Sequence, residues 1–499
     1  MEEKPQLTYT LYSPAVSGPT YIPGIHSSCI CNEYAGLRLR MLREVTLPTM
    51  DGMAKMRKVY RQDIWRRLAR IPEVPLEAIV AKYTGRWRVR YERALAEYLD
   101  RGFVPRDAKI RAFVKREKYD LRKDKNKPRM IWGRGPVYNL LLASYLHPIE
   151  GELYRRMRTP KRCLVPPTRI VAKGLNGPQR ANLIRRKMAA IRNCVAFEVD
   201  MTAFEAHHSE DALRLEHQTY RRMNSSPFLA HLLSFQSVNK GKTQMGITFE
   251  RVAGRASGDF NTGLGNSLSM TAMTLAALDE IVPDLQRDIL VDGDNALIFV
   301  EAPGLPRLEG TLEEVFRSFG HEAKVERPTQ VLEEIRFGQS APLQLDESRW
   351  TMVRDPWKVL SQAFTSHRHY GEIKGGLPIA KCVAQCELVL NSGVPVLQRF
   401  AQAALLDLRG VKFARRFEAE NYEHAQVAKD AVWQQRTARE VTQIARESFQ
   451  RAYGISVADQ VRLESELVIN FPRSWTDPVD PVKGRERDIL LWQMCGFDR

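Results

Sequence analysis

The sequence predicts an α+β protein in which short apolar strands are set among longer helical stretches. Two strand signals and one helix signal carry this reading. "CVAFEVD" (194–200) is a mostly apolar run that stops at Asp200. "DILVDGDNALIFV" (288–300) has apolar runs on both sides of Asp-Gly-Asp-Asn, the pattern of a buried hairpin with an acidic tip. Helical periodicity dominates from about 52 to 101.

Taken in chain order, residues 1–50 are mixed and hold a turn-prone "SGPTYIPG" (17–24). The helical stretch 52–101 is interrupted at "RIPEVP" (70–75). Within it, "YTGRWRVRYERAL" interleaves Arg86, Arg88, Arg90 and Arg93 with Trp87 and Tyr91, which suits either a nucleic-acid surface or a solvated helix face. The segment 106–134 holds 12 Lys or Arg against four acids, a net of +8. From Pro160 to Arg192 there are nine basic residues and no acid. These two regions predict a positive wall facing a carboxylate site, as phosphate binding requires. A helix is expected from about Ser209 to Met223, and residues 257–278 open with Ser-Gly and continue as an apolar helix. After about 345 the pattern is mainly helical. In 432–449, Val441, Ile444, Ala445, Ser448 and Phe449 follow helical spacing, with Arg436, Arg439 and Arg446 on the outer face.

At 499 residues the chain exceeds the usual single domain, so several subdomains or two to three domains are expected. The net charge of +17 favours a polyanionic partner. Seven scattered cysteines do not form a disulfide framework and point to a reducing compartment. Cys29 and Cys31 near His26, and Cys382 with Cys386, lack a second half for a zinc site and are expected to be packed or surface thiols. No stretch approaches the roughly 18 apolar residues of a membrane span, and the N-terminus lacks a signal-peptide core. Membrane attachment is therefore expected through a partner or a segment absent from this chain.

Asp200 and Asp294 each follow an apolar strand where the chain turns. If the strands are neighbours, the two carboxylates converge and repel unless cations lie between them. Hard divalent ions fit such oxygen ligands. Two of them, about 3.5–4 Å apart, can activate an attacking hydroxyl and stabilise a leaving phosphate. A lone aspartate after a strand is most often a turn former, so the reading depends on its company. Glu205 stands five residues beyond Asp200. "SGDFNTGLGNSLSM" then supplies Ser257, Gly258, Thr262 and Asn266, and Gly293-Asp294-Asn295 follows.

In order and spacing these resemble motifs A, B and C of viral RNA-dependent RNA polymerases. "FEAHHSEDALRLEHQTY" narrows the resemblance to the tombusvirus-like group of positive-strand RNA viruses, through Phe204, Glu205, His207, Glu216, His217 and Tyr220. "FVKREK" (113–118), "KPRMIWGR" (127–134), "KGLNG" (173–177), "FGHEAKVE" (319–326) and "EEIRFGQSAPL" (333–343) with "WTMVRDP" (350–356) match further segments of the same group.

The resemblance implies a right-hand polymerase with fingers, palm and thumb, an antiparallel-sheet palm and largely helical fingers and thumb. The implied boundaries are 1–190 for the fingers and fingertip region, 191–224 for the palm with motif A, 225–255 for a fingers insertion, 256–345 for the palm with motifs B to E, and 346–499 for the thumb. Asp200 and Asp294 would be the metal ligands and catalytic residues, with Mg2+ as cofactor and Mn2+ as its substitute. Lys324 would donate a proton to the departing pyrophosphate. Lys115, Lys127, Arg129 and Arg134 would hold the triphosphate of the incoming nucleotide. Glu205, with Thr262 and Asn266, would sense the ribose 2′-hydroxyl. Ser257 and Gly258 would form a template-facing loop, with glycine allowing unusual backbone angles. Asn295 would be a further substrate-binding residue, and Gln339 and Ser340 would lie near the nascent strand. His207, His208 and His217 are expected to be structural, and Asp292 a turn or supporting group.

Two positions depart from the family. Glu205 replaces the usual Asp and is one methylene longer, which moves its carboxylate relative to Asn266. Asn295 replaces the usual last acid of Gly-Asp-Asp with a neutral, weaker ligand, which shifts metal preference. The expected activity is copying of a viral RNA genome from ribonucleoside triphosphates. The expected partners are template and nascent RNA and a separate viral replication protein for membrane attachment, at membrane-associated sites in the host cytoplasm. The alternatives are a reverse transcriptase and a non-catalytic RNA-binding replication factor with a degenerate palm.

Overall fold

The computed structural model describes residues 6–7, 9–10, 13–15, 21, 23–120, 122, 127–366, 373–471 and 473. Most of the turn-prone 17–24, and Lys123 and Lys125 of the basic stretch, lie outside the described residues. The chain divides into two compact units. One comprises 28–115 with 127–338, and the other 1–27, 116–126 and 339–499.

The first unit is built from eight strands and six longer helices, with short helical turns between them. In chain order these are α1 (Met50–Val59), α2 (Gly85–Arg101), β1 (Ile110–Val114), β2 (Met130–Gly133), α3 (Pro136–Arg156), α4 (Gly177–Ala189), β3 (Cys194–Met201), α5 (Glu210–Met223), β4 (Val238–Thr243), β5 (Thr248–Val252), α6 (Thr262–Ile281), β6 (Arg287–Asp292), β7 (Asn295–Glu301) and β8 (Ala323–Val325). They make two four-stranded sheets, β5-β4-β1-β2 and β6-β7-β3-β8. The second is antiparallel throughout. The first is antiparallel except where β1 runs parallel to β4.

Local sequence explains where these elements start. Thr49 caps α1 by accepting from the Gly52 N–H at 3.0 Å. Asn176 and Gln179 cap α4 reciprocally, each side chain accepting the other's backbone N–H at 3.0 Å. Ser209 caps α5, with Glu210 and Asp211 in the first turn. Helix α6 begins at Thr262, later than the apolar pattern suggests, because residues 257–261 lie against β2 as a loop. It is apolar on every face because it is surrounded, and nearly all of it is buried. The sheet β6-β7-β3-β8 places Ile289, Leu297, Ile298 and Phe299 entirely out of solvent.

The second unit contains the hairpin β9 (Ser340–Gln344) and β10 (Trp350–Arg354), followed by α7 (Ile373–Leu390), α8 (Leu397–Asp407), α9 (Gln443–Tyr453) and α10 (Val457–Glu466). Short strands at 6–7, 23–25 and 119–120 form a small sheet of their own. Phe364, Phe400, Phe449 and Leu463 share the core. Helix α9 starts at Gln443 rather than near 432, because Thr442 caps it and residues 436–442 form no regular element. Among the described residues no helix is long and apolar enough to cross a membrane. The six described cysteines are free, four of them buried.

Candidate active site

The site is built on the sheet β6-β7-β3-β8. Strand β7 runs antiparallel to β3 with Ala296 opposite Val199, and the next step of that register sets Asn295 opposite Asp200. Strands β6 and β7 close with Asp292 opposite Asn295, leaving Gly293 and Asp294 as a two-residue turn. Gly293 has φ +71°, which glycine adopts without a Cβ penalty, and its N–H donates to Ser267 Oγ on α6 at 3.2 Å. Strand pairing therefore brings Asp200 and Asp294 together, as the sequence predicts. Partial burial, with the Asp200 charge adding to it, raises the Asp294 carboxyl above its ordinary range. Desolvation likewise raises Asp200, and the cations Lys324 and Arg129 oppose that shift.

Asp292 has a different fate. It forms ion pairs with Lys173 at 2.7 Å and Arg180 at 2.5 Å. Burial works against its ionisation, yet these two cations hold its carboxyl below the ordinary range. It is a charged strut from the hairpin to the start of α4. Among the described residues, neither Asp200 nor Asp294 has an ion-pair partner of this kind. Two convergent carboxylates without one, with the Asn295 amide adjoining, are a donor set that fits a hard divalent cation. No third His, Cys, Asp or Glu joins them in a metal-sized cluster among the described residues.

The surrounding cations arrive from two sides. Lys324 lies opposite Asp200 in the β8–β3 pairing, and its Nζ is ion-paired with Glu326. Arg129 is exposed, and its charge reaches both Asp200 and Asp294. Lys127 is exposed two residues earlier, and the Lys115 N–H donates to the Arg129 carbonyl at 2.7 Å, extending the β1–β2 ladder.

Arg134, expected beside the triphosphate, is placed otherwise. It is 5% exposed, ion-paired with Asp259, and donates to the Phe235 carbonyl at 2.6 Å and to Asn239 Oδ1 at 2.7 Å. Its guanidinium fastens β2 to the loop before α6. The same loop explains Gly258. The residue has no positive φ. Instead its N–H donates to the Trp132 carbonyl at 2.9 Å, and a Cβ on Gly133 would meet the Gly258 Cα at 2.7 Å. Close backbone approach, rather than an unusual angle, is what requires glycine here. Ser257 Oγ accepts from the Trp132 N–H at 3.4 Å.

The expected sugar-sensing trio is also held by other partners. Glu205 pairs with Arg40 at 3.5 Å. Thr262 Oγ1 donates to the carbonyls of Ala256 and Asp259, each at 2.9 Å. Asn266 Oδ1 accepts from Arg255 Nε at 3.0 Å. Arg255 was not singled out by sequence reasoning. It is buried, ion-paired with Glu216, and donates to His208 at 2.9 Å. Burial disfavours charge on Glu216, yet the Arg255 guanidinium holds its carboxyl well below the carboxylate range. A readable signal existed in Gly265: a Cβ there would meet Glu216 Oε1 at 2.4 Å and the Arg255 guanidinium at 2.5 Å. His207 and His208 are buried against Phe204 and His321, and His217 is half-buried with its Nε2 at 3.1 Å from Gln236 Oε1.

The chain is similar to the RNA-directed RNA polymerase of tobacco necrosis virus (strain A), 30% identical over 463 residues that cover 88% of this chain and 61% of that protein. It is similar to the enzyme of turnip crinkle virus, 31% identical over 462 residues, 88% of this chain and 57% of that protein. It also resembles that of carnation mottle virus, 30% identical over 394 residues, 78% and 50% respectively. The chain thus spans between half and about three fifths of the length of these relatives. The family model described as viral RNA dependent RNA polymerase matches residues 15–470. With that match covering most of the sequence, the chain belongs to the viral RNA-dependent RNA polymerase family.

Proposed function

We propose that this chain is the RNA-dependent RNA polymerase of a positive-strand RNA virus and extends RNA on an RNA template from ribonucleoside triphosphates. The observation that carries the reading is the β3–β7 register, which brings Asp200 and Asp294 side by side at one sheet surface. Asp200 and Asp294 would hold divalent ions, Mg2+ or in its place Mn2+. Those ions supply activation of the 3′-hydroxyl and charge stabilisation at the transferring phosphate. Arg129, Lys127 and Lys115 orient the triphosphate from the β1–β2 side, and their charge favours the anionic substrate over the acidic turn. Lys324, on the strand beside Asp200, is placed to give a proton to the leaving pyrophosphate. Asn266, with its Oδ1 tied to Arg255, keeps its amide N–H groups for the ribose. Arg134 is reassigned from substrate ligand to loop anchor.

The hand-like reading rests on the family. In it, the sheet β6-β7-β3-β8 is the palm, β1, β2, β4 and β5 belong to the fingers, and 346–499 is the thumb. A separate viral protein would bring the enzyme to membrane-associated sites in the host cytoplasm. The test is incorporation of labelled ribonucleotides on a defined RNA template by the purified protein, beside Asp294→Ala. The parent is expected to extend RNA with Mg2+ and the variant to lose at least about a thousandfold. Equal incorporation by the two proteins rejects the reading, as does a parent that prefers deoxynucleotides.

A further inference from the structure

Outside the acidic site, one cavity of about 760 Å³ gathers positive charge. It is lined by Arg158, Arg169, Arg185 and Arg186, with Gln179 and Asn182 among its polar groups. None of its lining residues is an acid, in keeping with the absence of Asp and Glu from 160 to 192. Its position is fixed by the fold. Residues 170–172 run alongside β6, with the Ala172 N–H donating to the Val291 carbonyl at 2.8 Å. Arg169 and the paired Arg158 stand at the near end of that segment, and α4 supplies the opposite wall.

The charge there is uncompensated. Arg158, Arg185 and Arg186 are exposed, and among the described residues none of them has an ion-pair partner. Arg169 is half-buried, and its guanidinium spends donors on the Val171 carbonyl at 2.7 Å and the Lys173 carbonyl at 2.5 Å. Burial, then repulsion from Arg158 and Arg180, destabilises its charged form. A fold that holds like charges in one concavity at such a cost is stabilised by an anion that enters it. The cavity volume lies within the range of small-molecule sites. No aromatic ring lines it, so a nucleobase has nothing to stack on. A concave site rather than a track favours concentrated charge over the single charges of a nucleic-acid backbone.

We propose that this arginine-lined cavity binds a condensed phosphate, the triphosphate of an RNA 5′ end or of a free nucleotide, at a site separate from Asp200 and Asp294. Guanidinium groups give it paired donors matched to phosphate oxygens, and Gln179 and Asn182 add neutral ones.

Binding is tested on the full chain without divalent ions, so the outcome does not depend on polymerase activity. The probes are one short single-stranded RNA bearing a 5′-triphosphate and the same RNA with a 5′-hydroxyl, followed by fluorescence anisotropy near physiological salt. The parent is expected to bind the triphosphate form about tenfold more tightly. The Arg185→Ala, Arg186→Ala double variant is expected to bind both RNAs alike, and Asp294→Ala to keep the preference. Arg158→Ala, a single change at an exposed side chain, serves as a second variant and is expected to weaken the preference severalfold. Competition by ATP as strong as that by inorganic triphosphate identifies the free nucleotide as a source. Competition confined to 5′-triphosphate RNA and inorganic triphosphate identifies the RNA end. Equal binding of the two RNAs by the parent overturns the proposal, as does a preference that survives in both arginine variants.

Discussion

At the scale of single residues, the decisive contrast lies between cations that face the acidic turn and cations that are used up inside the protein. Arg129 belongs to the first kind and Arg134 to the second, although they stand five positions apart in one basic run. Removing Arg134 leaves Asp259 buried without its ion-pair partner, and breaking a buried pair in this way costs about 3–5 kcal/mol. Arg134→Leu is therefore expected to lower stability by that amount in urea denaturation, whereas Arg129→Leu changes the KM for nucleotide with little effect on unfolding. An unfolding midpoint for Arg134→Leu equal to that of the parent would return Arg134 to the substrate. Asn266 makes a subtler case. Its orientation is set by Arg255 Nε, and Arg255 is itself fixed by Glu216. Arg255→Lys keeps the charge beside Glu216 but cannot hold Asn266 in the same fork. The expected outcome is a fall in the ratio of ribo- to deoxynucleotide kcat/KM of about tenfold. In an Asn266→Ala background the same change should leave the ratio unmoved. An effect of equal size in both backgrounds would show that Arg255 acts only on general packing.

At the scale of elements, two backbone crossings hold the site in shape. Strand β2 meets the loop before α6 through Gly133 and Gly258, and α6 passes the Arg255–Glu216 pair through Gly265. A methyl group at Gly133 would lie 2.7 Å from the Gly258 backbone, and neither backbone can move without disturbing its neighbours. Gly133→Ala is expected to cost about 1–3 kcal/mol through overpacking and, if the loop before α6 serves the template as proposed, to depress polymerisation. Gly151 is the control. It lies inside α3 with no atom within 4 Å of its added Cβ, so Gly151→Ala should stabilise by about 0.5–1 kcal/mol. Thermal unfolding of the two variants checks both signs together. Much at this scale was legible in the sequence. The strand that carries Asp200, which runs one residue farther than expected to Met201, the hairpin, α5 and the apolar helix α6 follow from periodicity, since their burial is one- or all-sided and their caps are local. The start of α9 was not legible, because nothing local in 436–442 announces the bonds from Gln385 and Gln398 to the Arg436 and Arg439 backbone that hold this segment outside the helix. The fates of Arg134, Glu205 and Asn266 were also hidden. Arg134 and Glu205 depend on partners far away in sequence and Asn266 on Arg255 eleven positions earlier, and charge composition cannot tell an exposed cation from a buried one.

At the scale of the whole molecule, the two units differ in what acid does to them. The unit formed by 28–115 and 127–338 encloses His208, His217 and His321 in their neutral forms. Burial is the main cause in all three. It lowers His208 to about 4, assisted by Arg255, lowers His217, and takes His321 well below the ordinary value beside His208 and His207. The unfolded chain protonates such histidines near pH 6.5, while the folded chain does not. Between those values the unfolded state binds more protons, so stability falls as pH falls, by roughly 1.4 kcal/mol per pH unit for each histidine. For His208 the loss begins below about 6.5 and is complete near pH 4. The unit formed with 339–499 has a different acid-sensitive group. Burial disfavours charge on Glu387, but Arg354 and His424 hold its carboxyl down to about 2. Its stabilising contribution is fully present above about pH 4.3 and is lost only as pH approaches 2. Glu198, whose carboxyl burial raises to about 7, acts in the opposite sense over the same range and offsets about one histidine's share, so acidification from pH 7 to 4.5 is expected to weaken, on balance, the unit that carries Asp200 and Asp294 while sparing the other. Hydrogen exchange followed by mass spectrometry across this range should show protection lost first in peptides from α5, β3 and β8, with peptides from α7 and β10 still protected. His321→Gln, which removes one protonation step, is expected to flatten the pH dependence of the first unit by up to one histidine's share. Simultaneous loss of protection in both units at every pH would mean that they unfold as one, and the separation argued from these buried groups would fail.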